Sequence, residues 1–163
     1  MTPQQLSERL RLDPETGKIF VTAKGRGRRT GSEAGSNFGR GGYRRIHFDG
    51  KTLFAHRVVF ALYHGRWPDG PIDHINGDRL DNRVCNLREA THTQNVHNSA
   101  SRPNASGYRG VCVNKPSGTF TPRIMSHGCS QRLGTFRHPG VAALIYVTAA
   151  ARLHGEFAFM GGA

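Results

Sequence analysis

The stretch that decides the fold is Ile72–Asn95, which reads IDHINGDRLDNRVCNLREATHTQN. Its centre holds two groups of turn-forming residues, NGD at 76–78 and DN at 81–82. These turns predict that a short strand at residues 72–74 folds back onto a second strand near residues 87–90. The stretch therefore predicts a β-hairpin with a long, polar connecting loop.

A helix is predicted at the end of this stretch. Thr91 has the T-x-x-Q spacing of a capping box, which places a helix start at Thr91 and Asn95 in its first turn. The oxygen atoms of Asp73 and Asn95 could then converge on one hard cation, because carboxylate and amide oxygens suit magnesium, calcium or manganese better than zinc. His74 lies beside them and could take a proton from water, since an imidazole titrates near neutral pH.

Two shorter patterns predict the elements around this unit. Thr2 and Gln5 have capping-box spacing, with Pro3 at the first position of a short helix. Asp49-Gly50 lies between two alternating runs and predicts a tight hairpin. A core helix is expected to follow it over residues 56–63, because apolar residues recur there at helical spacing.

The charge balance favours a polyanionic partner. The 163 residues include 23 Lys and Arg against 11 Asp and Glu, a formal net charge of +12. Nucleic acid is therefore favoured over an anionic membrane surface. The longest apolar run, Val141–Ala151, is well short of the roughly 20 residues that span a bilayer, and the polar start Thr2–Gln5 is not a signal segment. We expect a cytoplasmic protein with no membrane and no small-molecule substrate as partner.

Two kinds of metal site are excluded by spacing. Cys85, Cys112 and Cys129 form no C-x-x-C pair, so the sequence encodes neither a disulfide framework nor a cysteine-based zinc site. The acidic residues around Gly77 lack EF-hand spacing, and no glutamate closes that loop. A metal must therefore be held by other ligands.

The residues of the hairpin and its loop resemble the HNH endonuclease family, specifically its phage and intron-encoded homing branch. Two segments carry the resemblance in order and spacing: Asp73–Asp78, as D-H-x-x-G-D, and Asp81–Arg88, which contains D-N and N-L-R. The resemblance implies a ββα-metal fold with one divalent ion, Mg²⁺ or Mn²⁺. It also implies that Asp73 and Asn95 hold the metal and that His74 is the general base.

The same resemblance implies roles for two further residues. Asn86, the middle letter of the motif, would brace the loop and orient the histidine. Ala55-His56-Arg57 matches an A-H-R segment of family members, which gives His56 a helper role. Many HNH enzymes have histidine at the position of Asn95, whereas homing-type members have asparagine there. The asparagine therefore indicates the homing subclass.

A second unit is predicted after a linker at residues 101–106. Three strands are expected from residue 107 onward, followed by a helix over Val141–His154 whose alanines let it lie close to a sheet. Tyr108–Val111 and Leu133–Phe136 resemble the ethylene-response-factor (Apetala-type) DNA-binding domain. This resemblance implies contacts between the sheet and duplex DNA, made by Arg109, Arg123 and Arg132.

The chain is therefore expected to be an α+β protein, a ββα-metal HNH unit followed by a three-stranded antiparallel sheet packed on one helix. The predicted domains are residues 1–100, with the metal-binding core at about 72–100, and residues 107–163. The predicted function is metal-dependent hydrolysis of duplex DNA by a monomer or homodimer in a prokaryotic or phage-infected cell. Two alternatives stay open: a non-catalytic, sequence-specific DNA-binding regulator, and a protein that binds or cuts RNA.

Overall fold

The computed structural model describes residues 1–23, 29–37, 42–98, 104–126 and 128–158. These residues divide into two units, Met1–Asn95 and Val96–Ala163. Both units combine helices with antiparallel strands, so the mixed α+β class is confirmed. Residues 99–100 of the predicted metal-binding core and residues 101–103 of the predicted linker lie outside the described residues.

The first unit is built from short elements. In chain order they are α1 (Pro3–Ser7), β1 (Leu10–Asp13), β2 (Lys18–Val21), β3 (Ser36–Asn37), β4 (Arg44–Phe48), β5 (Lys51–Phe54), α2 (Ala55–His64), β6 (Ile72–His74) and β7 (Leu87–Glu89); α3 (His92–Asn98) begins in the first unit and ends in the second. A 3₁₀ turn, Val84–Asn86, leads into β7. β1–β2 and β6–β7 are antiparallel hairpins, and β3, β4 and β5 form a three-stranded antiparallel sheet.

Local sequence signals explain where these elements start and turn. Thr2 and Thr91 both form the predicted capping boxes, each exchanging hydrogen bonds with the glutamine three residues later. Asp49 and Gly50 have φ values of 46° and 76° and join β4 to β5. Both central residues of a type I′ turn need positive φ, which explains the Asp-Gly pair at this hairpin. Helix α2 ends at Gly65, with φ 68°.

The core of the first unit lies against α2. Its fully buried side chains include Leu6 of α1, Ile46 of β4, and Val58 and Val59 of α2. Burying each such side chain contributes about 1.5–3 kcal/mol. α1, the β1–β2 hairpin and β4 therefore all pack against α2. This packing fixes the position of the first residues of α2.

The second unit contains β8 (Val111–Asn114), β9 (Thr119–Ser126), β10 (Cys129–Arg132) and α4 (Pro139–His154), which a 3₁₀ turn, Gly155–Phe157, follows. The antiparallel sheet has the order β10-β9-β8, and α4 packs against it through Ile124, Tyr146 and Ala150. The predicted three-stranded sheet packed on one helix is therefore confirmed. Among the described helices, none is long and apolar enough to cross a lipid bilayer.

Candidate functional site

His74 is the last residue of β6 and lies in the interior of the first unit. Its relative exposure is 4%, and its Nε2 is 3.1 Å from Oδ1 of Asn82. Because an amide oxygen only accepts hydrogen bonds, this contact keeps the proton on Nε2 and makes Nδ1 the basic nitrogen. Burial lowers the pKa of His74 below its usual value, more than the Asn82 hydrogen bond and the nearby carboxylates raise it. The ring is therefore neutral at pH 7 and able to accept a proton.

Asn86 closes the loop that follows His74. Its Oδ1 accepts a hydrogen bond from the Asn76 backbone N–H at 3.0 Å, and its Nδ2 donates to Asn76 Oδ1 at 3.0 Å and to the Asp81 carbonyl at 2.7 Å. Its own carbonyl accepts from the N–H of Ile75 at 2.9 Å. These bonds span the loop between β6 and the 3₁₀ turn, and the bracing role of Asn86 stays a prediction. A hydrogen bond to the His74 ring comes instead from Asn82, a residue whose sequence pattern indicates only a turn.

Asp73 is paired with an arginine across the hairpin. Asp73 and Arg88 are direct register partners in β6 and β7, and Oδ2 of Asp73 lies 2.7 Å from Nη2 and 2.9 Å from Nε of Arg88. The Asp73 residue is only 3% exposed. The guanidinium balances the buried carboxylate charge, which would otherwise be costly so far from water.

The donors at this site fit a hard divalent cation in type. Mg²⁺ commonly takes one or two protein carboxylates and completes its shell with water and phosphate oxygens. Asp73 offers such a carboxylate, and Asn95, half-buried on α3, offers an amide oxygen. Within the described residues, no group of three or more His, Cys, Asp or Glu side chains could hold a metal by itself.

His56 is placed next to His74 by the start of α2. The two ring centroids are 5.2 Å apart in an edge-on arrangement, and His56 is itself buried. Burial, with smaller contributions from His74 and Arg57, lowers the pKa of His56 to about 3. His56 is therefore uncharged at neutral pH, and it packs against His74 as a neutral ring.

The buried His56 predicts a loss of stability in mild acid. Its pKa is 6.5 when unfolded and about 3 when folded, so the unfolded chain binds more protons between these values. The stability it contributes is complete above pH 6.5 and falls by about 1.4 kcal/mol per unit as the pH drops toward 3. Urea unfolding at pH 7.5 and pH 5 measures this, with His56→Phe as the comparison. The variant should lose less stability on acidification, and an equal loss in both proteins would contradict the assignment.

The turn between β1 and β2 packs against the segment that carries Asn82. Gly17 has φ +66°, and a Cβ added to it would lie 2.2 Å from the carbonyl carbon of Asn82 and 2.5 Å from the N of Arg83. The Val84 N–H also donates to the Pro14 carbonyl at 3.3 Å. The β1–β2 hairpin therefore packs against the loop whose Asn82 binds His74. No local sequence signal indicates this contact.

The three predicted DNA-contacting arginines of the second unit have different surroundings. Arg123 and Arg132 are exposed register partners on β9 and β10, so their side chains share one face of the sheet. Arg109 is partly buried, and its guanidinium donates to the Tyr146 hydroxyl at 3.2 Å and to the His97 carbonyl at 2.8 Å. Tyr146 belongs to α4, so Arg109 is engaged on the helix side of the sheet.

The strands β6 and β7 and the helix α3 form a β-β-α arrangement. It contains a buried, neutral histidine, His74, and a buried carboxylate, Asp73. Residues 53–97 match the family model described as HNH endonuclease. The matched segment includes His56, His74, Asn86 and Asn95.

A viral protein is similar over a longer stretch. The chain is 31% identical over 122 residues to an uncharacterized HNH endonuclease, L560, of Acanthamoeba polyphaga mimivirus. The match covers 74% of this chain and 63% of the viral protein, so the chain spans less than two thirds of that relative's length. No solved structure is significantly similar to the chain.

Proposed function

We propose that this protein is a metal-dependent endonuclease that hydrolyses phosphodiester bonds of duplex DNA. The observation that carries the proposal is the HNH family match over residues 53–97, because the matched segment folds around His74 and Asp73. In the proposed site, His74 is the general base, and Asp73 and Asn95 hold one divalent ion, Mg²⁺ or Mn²⁺. Asn86 braces the loop, and His56 is a helper that keeps the His74 ring in place.

The proposed reaction is a direct attack of water on phosphorus. His74 takes a proton from the water at Nδ1, and the water oxygen bonds to phosphorus as the bond to the 3′-oxygen breaks. The 3′-oxygen leaves with the electron pair and gains a proton from solvent, which gives 5′-phosphate and 3′-hydroxyl ends. When bound, the divalent ion supplies stabilisation of the charge on the phosphate and the leaving oxygen. Asn82 holds the imidazole in the tautomer that this step requires.

The second unit is proposed to position the nuclease on DNA. Arg123 and Arg132 lie side by side on the exposed face of its sheet, where arginine can bond guanine or phosphate in a bidentate way. Arg109 is the third proposed DNA contact, and its guanidinium is also bonded to the Tyr146 hydroxyl and the His97 carbonyl. Tethering such a module raises the effective concentration of the catalytic unit at its target. We therefore propose a homing-type enzyme, active in a prokaryotic or phage-infected cytoplasm, in which one site per chain gives a nick and a homodimer gives a double-strand break.

The placement of these arginines predicts two different mutant behaviours. Replacing Arg123 and Arg132 together by alanine should weaken duplex binding and lower the salt slope of log K by about one per arginine. Arg109→Ala should instead lower the unfolding midpoint of the protein, because it removes the bonds to Tyr146 and the His97 carbonyl. Fluorescence anisotropy over a salt series, with urea unfolding, measures both. A double variant with an unchanged salt slope would remove the sheet face from the interface.

The two open alternatives are separated from the nuclease by one experiment. Supercoiled plasmid and a structured RNA are each incubated with the protein in Mg²⁺, in Mn²⁺ and in EDTA, and binding is followed in parallel. The proposal expects nicked or linear plasmid with either metal and intact plasmid in EDTA. Plasmid binding without cutting in every metal would support the regulator instead. Preferential binding or cutting of RNA would support the RNA-directed alternative.

A further inference from the structure

A cluster of aromatic rings connects His74 to the protein surface. The Tyr43 centroid is 6.0 Å from that of His74, 5.1 Å from His56 and 5.6 Å from Phe54, and Phe54 stacks on His56 at 5.5 Å. These separations are typical of interacting aromatic pairs. Tyr43 and Phe54 form the outer part of the cluster, which we call the aromatic shelf.

Each ring of the aromatic shelf carries an arginine. The guanidinium carbon of Arg79 is 4.9 Å from the centroid of Tyr43, and that of Arg45 is 5.3 Å from the centroid of Phe54. Arg45 and Phe54 are direct register partners in β4 and β5, so the sheet itself sets this pair. The N–H donors of a guanidinium lie in its own plane. When one face of the guanidinium stacks on a ring, these donors point sideways from the stack, which is the geometry that binds phosphate oxygens.

Packing on Tyr43 and His56 covers only part of Phe54, and helix capping does not use it. The side chain is 40% exposed and does not belong to the buried core of the first unit. Phe54 is also the N-cap residue of α2 and makes no side-chain capping bond there. Ser, Thr, Asp or Asn at this position would stabilise the helix by about 1 kcal/mol relative to an apolar residue. The exposed part of the ring, next to Tyr43 and His56, is accessible to a ligand outside the chain.

We infer that the aromatic shelf, with Arg45 and Arg79, binds the DNA strand next to the scissile phosphate. The sugar and base edges would lie on Tyr43 and Phe54, and the two arginines would bind the flanking phosphates. Each nucleotide of a duplex strand advances about 3.4 Å along the helix axis. When one phosphodiester lies within reach of His74, the next one or two nucleotides therefore lie over the aromatic shelf. The Tyr43 centroid in this shelf is 6.0 Å from that of His74. This inference rests on the proposed function, because His74 defines where the cut strand runs.

Binding in the absence of cleavage tests the shelf separately from the nuclease. Anisotropy of a fluorescein-labelled, mixed-sequence DNA duplex is measured in EDTA over a salt series. Arg79→Ala should weaken binding and lower the salt slope by about one. Phe54→Leu should weaken binding by a few-fold, because leucine lacks the flat ring face on which the sugar and base edges would lie. Arg79→Lys should restore part of the salt slope, and Phe54→Tyr should restore affinity.

The chain offers a matched control in the β1–β2 hairpin. Arg11 lies 5.6 Å from the centroid of Phe20, so Arg11→Ala and Phe20→Leu remove the same chemistry away from the aromatic shelf. Both controls should bind duplex DNA like the wild type. Urea midpoints identify any variant that fails to fold, and exposed Arg79 keeps the test decisive if Phe54→Leu unfolds.

The outcomes separate the shelf from the proposed function. Weaker binding by both shelf variants than by both controls supports the shelf, even if the wild type cuts no DNA with any metal, a result that would overturn the nuclease alone. Control-like binding by either folded shelf variant overturns the shelf, even if the wild type cuts plasmid efficiently.

Discussion

His74→Ala is expected to abolish most DNA cleavage while leaving DNA binding nearly unchanged. A positioned general base contributes about 10²–10⁴-fold to a rate, and the variant should lose cleavage in that range. Binding should persist because His74 is buried and neutral at pH 7, so it carries no charge that a phosphate would contact. A large loss of rate without a loss of affinity is the signature of a group that acts in the chemical step.

The rate is measured under single-turnover conditions, with plasmid bound at saturating protein and cleavage started with Mg²⁺. His47→Ala is the control, since His47 is an exposed histidine of β4 whose ring contacts Thr52. It should cut like the wild type. The role of His74 would be contradicted if His74→Ala cut within a few-fold of the wild type while remaining folded.

Gly17→Ala is expected to damage the site from a distance. An alanine at φ +66° costs about 1–2 kcal/mol in backbone strain, and its Cβ would overlap the Asn82 backbone at 2.2 Å. The β1–β2 turn or the Asn82 segment must then move. Because Asn82 holds the His74 ring, we expect a loss of cleavage of about 10-fold or more, since a shift of 1 Å can cost 10²-fold. Urea unfolding and single-turnover cleavage measure the two effects.

Gly50→Ala separates steric overlap from backbone strain. Gly50 has φ +76°, but a Cβ there meets no atom within 4 Å. It should lose only the stability that positive φ costs and should keep its cleavage rate. Equal behaviour of the two variants would mean that the contact between Gly17 and Asn82 does not support the site.

The parts of the fold that depend on neighbouring residues were predictable. The two capping boxes, the Asp49-Gly50 hairpin and the helix after it all formed as predicted, because each is decided by residues a few positions apart. The hairpin that carries Asp73 and His74 followed from turn chemistry in the same way. Such signals survive in any tertiary context that does not oppose them.

The interactions that complete the site join distant parts of the chain. The contact between Gly17 and Asn82, and the packing of Tyr43 on His74, depend on how the first unit folds and have no counterpart in sequence spacing. The surroundings of Arg109 depend on Tyr146, a residue of α4 that is far away in the chain. A residue's type indicated what it could do, and its partner had to come from the structure.

The most direct test of the nuclease proposal is an order-of-addition measurement on closed circular plasmid. The wild-type protein is first bound to plasmid in EDTA, where binding is confirmed and no cleavage should occur. Excess Mg²⁺ is then added, and nicked circles are followed with time. We expect nicking to begin on addition of Mg²⁺ in the wild type and to be at least about 10²-fold slower in His74→Ala. Plasmid that stays bound and intact after Mg²⁺ or Mn²⁺ is added would contradict the nuclease proposal.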